Sequence, residues 1–218
     1  MPAGASIGSA VVAGRALYRG APPPRRLITM SSEVACHRPG GETLSEEIIV
    51  GPDGGLRNVF VHVVSGLGDR LFAPPSQPAV IDQQGCVFVP HVLPVQVNQV
   101  IDLANGDPVV HNVHAVAVRN PVFNVSLSGK GRHVLRYFPE PEIVKVRCDI
   151  HAWMVAYVPV GSNPFQAVTG DDGAFSLSGL PAGQYEVEAW HETLGTSRQS
   201  VTLADGERKA LEFVFAKP

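Results

Sequence analysis

Apolar and polar residues alternate over short runs along most of this chain, and turn residues separate the runs. Alternation with a period of two is typical of β-strands that bury one face. No long amphipathic helix is predicted. The sequence therefore predicts an all-β protein built as a sandwich or barrel. The predicted strands lie at 7–18, 56–64, 86–90, 95–103, 111–118, 122–127, 133–137, 142–148 and 154–160.

The pattern changes after the turn at 161–164. Alternating runs around 174–177 and 185–187, with a last strand at 210–215, predict a second, smaller sandwich. Its core would contain Phe175, Leu177, Tyr185, Val187 and Trp190. A unit of that size is marginal alone, so we expect it to dock on the larger domain. Three consecutive parts are expected: a β-rich extension (6–85) packed on a central core (86–161), and the small sandwich (162–218).

Composition narrows the class of protein. Of 218 residues, 44% are hydrophobic and 17% are charged, which argues against extended disorder. The formal net charge of −3 gives no electrostatic reason to bind nucleic acid or an anionic membrane. No apolar run approaches the roughly 18 residues that a membrane span needs. We therefore expect neither a nucleic-acid partner nor a membrane span.

The most informative motif is Cys148-x-x-His151-x-x-Met154. A thiolate, an imidazole and a thioether at this spacing place three soft donors on one loop. With a second imidazole, for which His111 is the candidate, they form the His2Cys set with a weak axial Met that holds one type 1 copper ion. Zinc is an alternative, although Met is a poor zinc ligand. A coincidental set of core residues is the other alternative.

Other metal centres fit the motif less well. A binuclear copper centre needs a second Cys between Cys148 and Met154, and a haem needs Cys-x-x-Cys-His. A trinuclear copper cluster needs His-x-His pairs, which are absent from the sequence.

His111 and His114 compete for the remaining ligand position. Residues three apart on a strand point to opposite faces, so only one of them can face the metal. His111 begins its predicted strand, beside the loops where a site would form. We therefore predict His111 as the ligand and His114 as a packed or surface imidazole.

These motifs resemble the cupredoxins, of the amicyanin and plastocyanin type, over about 86–161. The resemblance rests on His111-Asn112-Val113-His114, on the Cys148–Met154 loop and on the run 94–101. It implies a Greek-key β-sandwich and a blue copper site with His111 as a ligand. It also implies that Asn112 ties the His strand to the Cys loop and directs its backbone N–H at the thiolate. The segment 169–187 resembles the carboxypeptidase regulatory-like domain, a transthyretin-like β-sandwich.

Three cysteines are an odd number. If Cys148 binds metal, Cys36 and Cys86 remain as a pair, and we predict that they form a disulfide rather than two free thiols. A second metal site using His37 or His91 beside these cysteines is an alternative. The first residues do not show a signal peptide, but a structural disulfide implies an oxidising compartment. We expect a periplasmic or extracellular location.

The resulting functional hypothesis is an electron carrier rather than an enzyme. Copper would cycle between Cu(II) and Cu(I), with a c-type cytochrome or a dehydrogenase as redox partner and His151 as the electron exit. Trp153 either forms part of a partner surface or covers the site. A copper storage, delivery or sensing protein is the rival hypothesis, and a binding module based on the small sandwich is another.

Overall fold

The computed structural model describes residues 7–30, 34–36 and 42–217. Within these ranges the regular elements are β-strands and one short 3-10 helix, Val34–Cys36, and there is no α-helix. The prediction of an all-β protein is confirmed.

The described residues form sixteen strands, numbered here in chain order. They are β1 (Ala10–Tyr18), β2 (Phe60–Ser65), β3 (Ala79–Gln83), β4 (Phe88–Val89), β5 (Val95–Gln96), β6 (Ile101–Asn105), β7 (Val110–Val116), β8 (Phe123–Ser128), β9 (Arg132–Arg136), β10 (Glu142–Arg147), β11 (Val155–Gly161), β12 (Gln166–Val168), β13 (Ala174–Leu180), β14 (Gly183–His191), β15 (Gly195–Leu203) and β16 (Arg208–Phe215).

The chain divides into two compact units, each assembled from separate segments. One unit contains 1–25, 47–73 and 163–218, and the other contains 26–46 and 74–162. This division differs from the three consecutive parts expected from sequence, because the segment 6–85 is shared between both units.

The first unit is a sandwich of two sheets, with strand orders β13-β1-β16 and β12-β2-β14-β15. β1 is the central strand of its sheet, antiparallel to β13 and parallel to β16. The two sheets share one apolar core, which includes Val12, Val61, Leu177, Val187 and Phe213. The segment 163–218 therefore buries its apolar face only together with β1 and β2.

The second unit is also a sandwich, with sheet orders β5-β11-β10-β7-β8 and β4-β3-β6-β9. Its core combines Ile81 and Leu103 from the smaller sheet with Val113, Val146 and Val158 from the larger one. This unit carries the predicted metal motif.

Two local differences from the predicted strands have physical causes. The run 95–103 is broken by a turn in which the Gln99 N–H bonds to the Gln96 carbonyl at 2.9 Å, with Asn98 at φ 63°. Asn tolerates this left-handed conformation better than most residues. The second difference is β15, where no strand is predicted. This strand is mostly polar, because it lies at a sheet edge and buries only its last alternating apolar positions.

Neighbouring residues on β16 test the core of the first unit. Phe213 is fully buried, whereas Val214 is 37% exposed. Phe213→Ala should lower the free energy of unfolding by about 3–5 kcal/mol, through lost burial and a cavity. The matched control Val214→Ala should change it by less than about 1 kcal/mol. Urea denaturation measures both, and equal effects would contradict this packing.

Candidate metal centre

The loop 148–154 connects two adjacent antiparallel strands, β10 and β11. On the other side of β10 lies β7, also antiparallel, with His114 opposite Arg147. The N-terminal end of β7 therefore lies beside the start of the loop. This register brings His111 to the loop that carries Cys148, His151 and Met154.

Backbone hydrogen bonds close the loop on itself. The Cys148 N–H donates to the Met154 carbonyl at 3.1 Å, and the Met154 N–H donates to the His151 carbonyl at 2.9 Å. The His151 N–H points at the Cys148 sulfur, with an N–S distance of 3.4 Å. The loop is thus a tight turn that is held together by contacts of the Cys148 backbone and sulfur.

Three of the predicted ligands converge. The Nδ1 atoms of His111 and His151 lie 2.9 Å apart, and Cys148 Sγ lies 3.8 Å from His151 Nδ1. The ligand atoms of the three residues all lie within 4.8 Å of one another, and all three residues are buried. Met154 is also buried, in the same apolar cluster as Cys148.

A buried carboxylate that the sequence analysis did not identify supports His111. Asp107 Oδ2 lies 3.0 Å from His111 Nε2. The same carboxylate accepts hydrogen bonds from the backbone N–H groups of Gly85 (2.7 Å) and Cys86 (2.8 Å). A carboxylate on Nε2 favours the tautomer that leaves the Nδ1 lone pair free for a metal. The position of Asp107, four residues before His111, is a sequence signal for this contact. The run Asn105-Gly106-Asp107-Pro108 is also typical of an ordinary solvent-exposed turn, so the signal is ambiguous.

Asn112 joins β7 to the cysteine loop. Its side-chain oxygen accepts the Asp149 N–H at 2.7 Å and lies 3.2 Å from the Cys148 sulfur. Burial raises the pKa of Cys148, but hydrogen bonds from His111 and from the backbone N–H groups of Asn112, His151 and Ile150 outweigh it, so the pKa lies below its usual value. The site therefore stabilises the thiolate form of Cys148 relative to that of an exposed cysteine.

The protonation of His111 shows the opposite balance. Burial lowers its pKa, but hydrogen bonds to Cys148 and Asp107 raise it, and the net pKa lies above the usual value. In the metal-free protein, Cys148 and Asp107 therefore stabilise a proton on His111. A metal cation in its place would meet the same electrostatic need.

His114 does not face this cluster. It is partly exposed, and its Nδ1 lies 3.0 Å from Asp149 Oδ2. Hydrogen bonds from His114, Asn124 and Asn112 hold the pKa of Asp149 below its usual range.

The residue His151 is only 4% exposed. The Trp153 ring lies beside it, with centroids 5.1 Å apart, and Trp153 Nε1 donates to the Cys86 carbonyl at 2.9 Å. Of the two roles considered for Trp153, this arrangement favours covering the site.

Cys36 and Cys86 form a disulfide, as predicted, across a sequence separation of 50 residues. His37 lies outside the described residues. His91 lies 3.9 Å from a Glu46 oxygen and packs against Tyr157. Among the described residues, no group of three metal-binding side chains includes His91.

Comparisons with known proteins give partial matches in structure. No family model matches the chain, and no curated protein matches it. A copper-containing nitrite reductase from Thermus scotoductus SA-01 is 23% identical, with a TM-score of 0.37 over 46% of this chain and 25% of its own. A purple cupredoxin from Nitrosopumilus maritimus is 26% identical, with a TM-score of 0.34 over 38% of this chain and 99% of its own. An oxidised amicyanin mutant is 19% identical, with a TM-score of 0.36 over 53% of this chain and 93% of its own. This chain therefore matches only a quarter of the nitrite reductase chain.

The donor set itself fits copper. The site combines one cysteine sulfur with a lowered pKa, two imidazoles whose Nδ1 atoms lie 2.9 Å apart, and a buried thioether on the same loop. These are the ligand types that copper prefers.

In the described part of the chain, no helix is long and apolar enough to cross a membrane.

The Asp107–His111 contact predicts a titration change in the metal-free protein. Asp107→Asn should lower the pKa of His111, because it removes the negative charge that stabilises the imidazolium. NMR titration of the imidazole nitrogens measures this shift. Asp102→Asn is the matched control, since Asp102 contacts His133 instead, at 3.0 Å. An unchanged His111 titration in Asp107→Asn would contradict the assigned role.

Proposed function

We propose that this protein is a type 1 copper electron carrier. His111, Cys148 and His151 would hold one copper ion, with Met154 as the weak axial ligand. The observation that carries the proposal is the convergence of Cys148 Sγ with the two imidazole Nδ1 atoms in a buried site. Bound copper would supply a one-electron couple.

The surrounding residues suit that role. The Asp107 carboxylate fixes the His111 tautomer, and Asn112 fixes the cysteine loop against β7. Burial of His111, Cys148 and His151 keeps bulk water away from the donors. Ligands fixed by strands and hydrogen bonds restrict rearrangement between oxidation states, which favours rapid electron transfer.

The wider assignment follows from this function. We propose a redox protein as partner, such as a c-type cytochrome or a dehydrogenase, and no transformation of a substrate. The buried disulfide supports a periplasmic or extracellular location, where such bonds persist. We also propose that 163–218, completed by β1 and β2, is the carboxypeptidase regulatory-like sandwich.

The copper proposal predicts a coloured protein. Wild-type protein loaded with Cu(II) should show an intense visible thiolate-to-copper absorption, and Cys148→Ser should abolish it. Cys36 and Cys86 should resist alkylation in both proteins without reductant, because they are bridged. Visible and EPR spectra with a thiol count provide the measurement. A colourless Cu(II) form of the wild type would overturn the assignment.

Loading should also depend on pH. A proton competes with the metal for His111, so copper affinity should fall as pH falls through the raised pKa of that residue. Asp107→Asn should move this fall to lower pH. Competition titrations against a Cu(II) chelator at several pH values measure it. An affinity for Cu(II) that does not change with pH near neutrality would contradict a role for His111.

Storage or delivery of copper is the second candidate. The buried His151 ring, covered by Trp153, favours it, because no broad ligand edge is open to an electron-transfer partner. Protein-film voltammetry and transfer to a Cu(I) chelator separate the two functions. A reversible couple with retained copper indicates the carrier, and rapid loss of copper to the chelator indicates delivery.

A further inference from the structure

The Cys36–Cys86 disulfide lies against the candidate metal centre. Both cysteines are fully buried, and their sulfurs lie within 4.8 Å of a ring nitrogen of His151 and of each other. The Cys86 sulfur also lies within that distance of ligand atoms of Asp107 and His111. The bridge thus lies beside the imidazoles of both His111 and His151.

Cys86 is hydrogen-bonded to two residues, Asp107 and Trp153, that lie against His111 and His151. Its N–H donates to Asp107, which contacts His111, and its carbonyl accepts from Trp153, whose ring lies beside His151. Its backbone has φ 55°, a left-handed conformation that is unusual for a residue other than glycine. The surrounding contacts thus hold the Cys86 sulfur at this position.

We propose that reduction of this disulfide creates a second metal site, in which Cys36, Cys86 and His151 bind Cu(I). Two thiolates are the soft donors that Cu(I) prefers, and an imidazole is a common copper ligand beside them. The oxidised bridge masks the site, because neither sulfur is then a thiolate. His151 would be shared by both sites, so the redox state of the cysteines would govern where copper resides.

The unmasking step is thiol–disulfide exchange with a dithiol reductant. One reductant thiolate attacks a sulfur of the bridge, which forms a mixed disulfide and releases the other cysteine as a thiolate. The second reductant thiolate then resolves the mixed disulfide, and the reductant leaves oxidised. Two electrons have passed to Cys36 and Cys86. Cu(I) displaces the thiol protons and keeps its oxidation state.

The buried cysteine Cys36 belongs to a short element with an exposed end. Cys36 ends the 3-10 helix Val34–Cys36, and Val34 is 80% exposed. Opening this single turn would expose the sulfur without unfolding the sheets. Local opening of that kind costs less free energy than global unfolding.

The test uses the full chain with Cys148→Ser, which disables the first site and makes the result independent of the proposed electron carrier. Oxidised and reductant-treated protein are titrated anaerobically with Cu(I) against bathocuproine disulfonate. Reduction should add one bound Cu(I) per chain, and sulfur coordination should appear in the X-ray absorption spectrum. Adding Cys36→Ser and Cys86→Ser should remove that ion.

Histidine variants test the third ligand. Adding His151→Ala should weaken the new site, whereas His133→Ala, at an exposed histidine that contacts Asp102, should leave it unchanged. Undiminished binding in His151→Ala would overturn the assignment of His151. A bridge that resists reduction in the folded protein, or equal Cu(I) binding before and after reduction, would overturn the proposal as a whole. The colour of the wild-type Cu(II) form tests the first site separately.

Discussion

The candidate metal centre depends on the hydrogen bonds that the Asp107 carboxylate accepts. This carboxylate is buried, and a buried carboxylate is costly unless hydrogen bonds satisfy its oxygens. Two backbone N–H groups, from Gly85 and Cys86, and the His111 ring meet that requirement. Asn105 fixes the backbone in turn, since its side-chain oxygen accepts the Asp107 N–H at 2.9 Å. One charge therefore sets the β3–β4 turn, the β6–β7 connection and the orientation of a ligand together.

Charge balance explains why this arrangement suits a cation. The Asp107 carboxylate and Cys148, whose pKa lies below its usual value, both contact the buried His111. The raised pKa of His111 shows that the folded site stabilises positive charge at that position. A bound metal would supply that charge and release the proton, so metal binding and folding would be linked.

The sequence predicted what is encoded locally. The all-β class follows from alternation, and the Cys148–Met154 loop from its spacing. The odd cysteine count, together with the assignment of Cys148 to a metal, predicted the bridge between Cys36 and Cys86. Asp107 was missed because an acidic residue in a turn is ordinarily solvated, and only the fold reveals that this one is buried against His111.

The division into units could not be predicted, because it depends on pairing between distant segments. β1 pairs in parallel with β16, so Val11 lies opposite Arg208, and no short-range pattern encodes such a register.

Pairing between distant segments also matters for the metal centre. A fragment limited to 86–161 would lack β3, which pairs with β6, and would lack the Cys36 partner of Cys86. It would retain His111, Cys148, His151 and Met154 but lose part of the framework that positions them. The ligands are therefore local in sequence, whereas the rigidity of their site is a property of segments far apart in the chain.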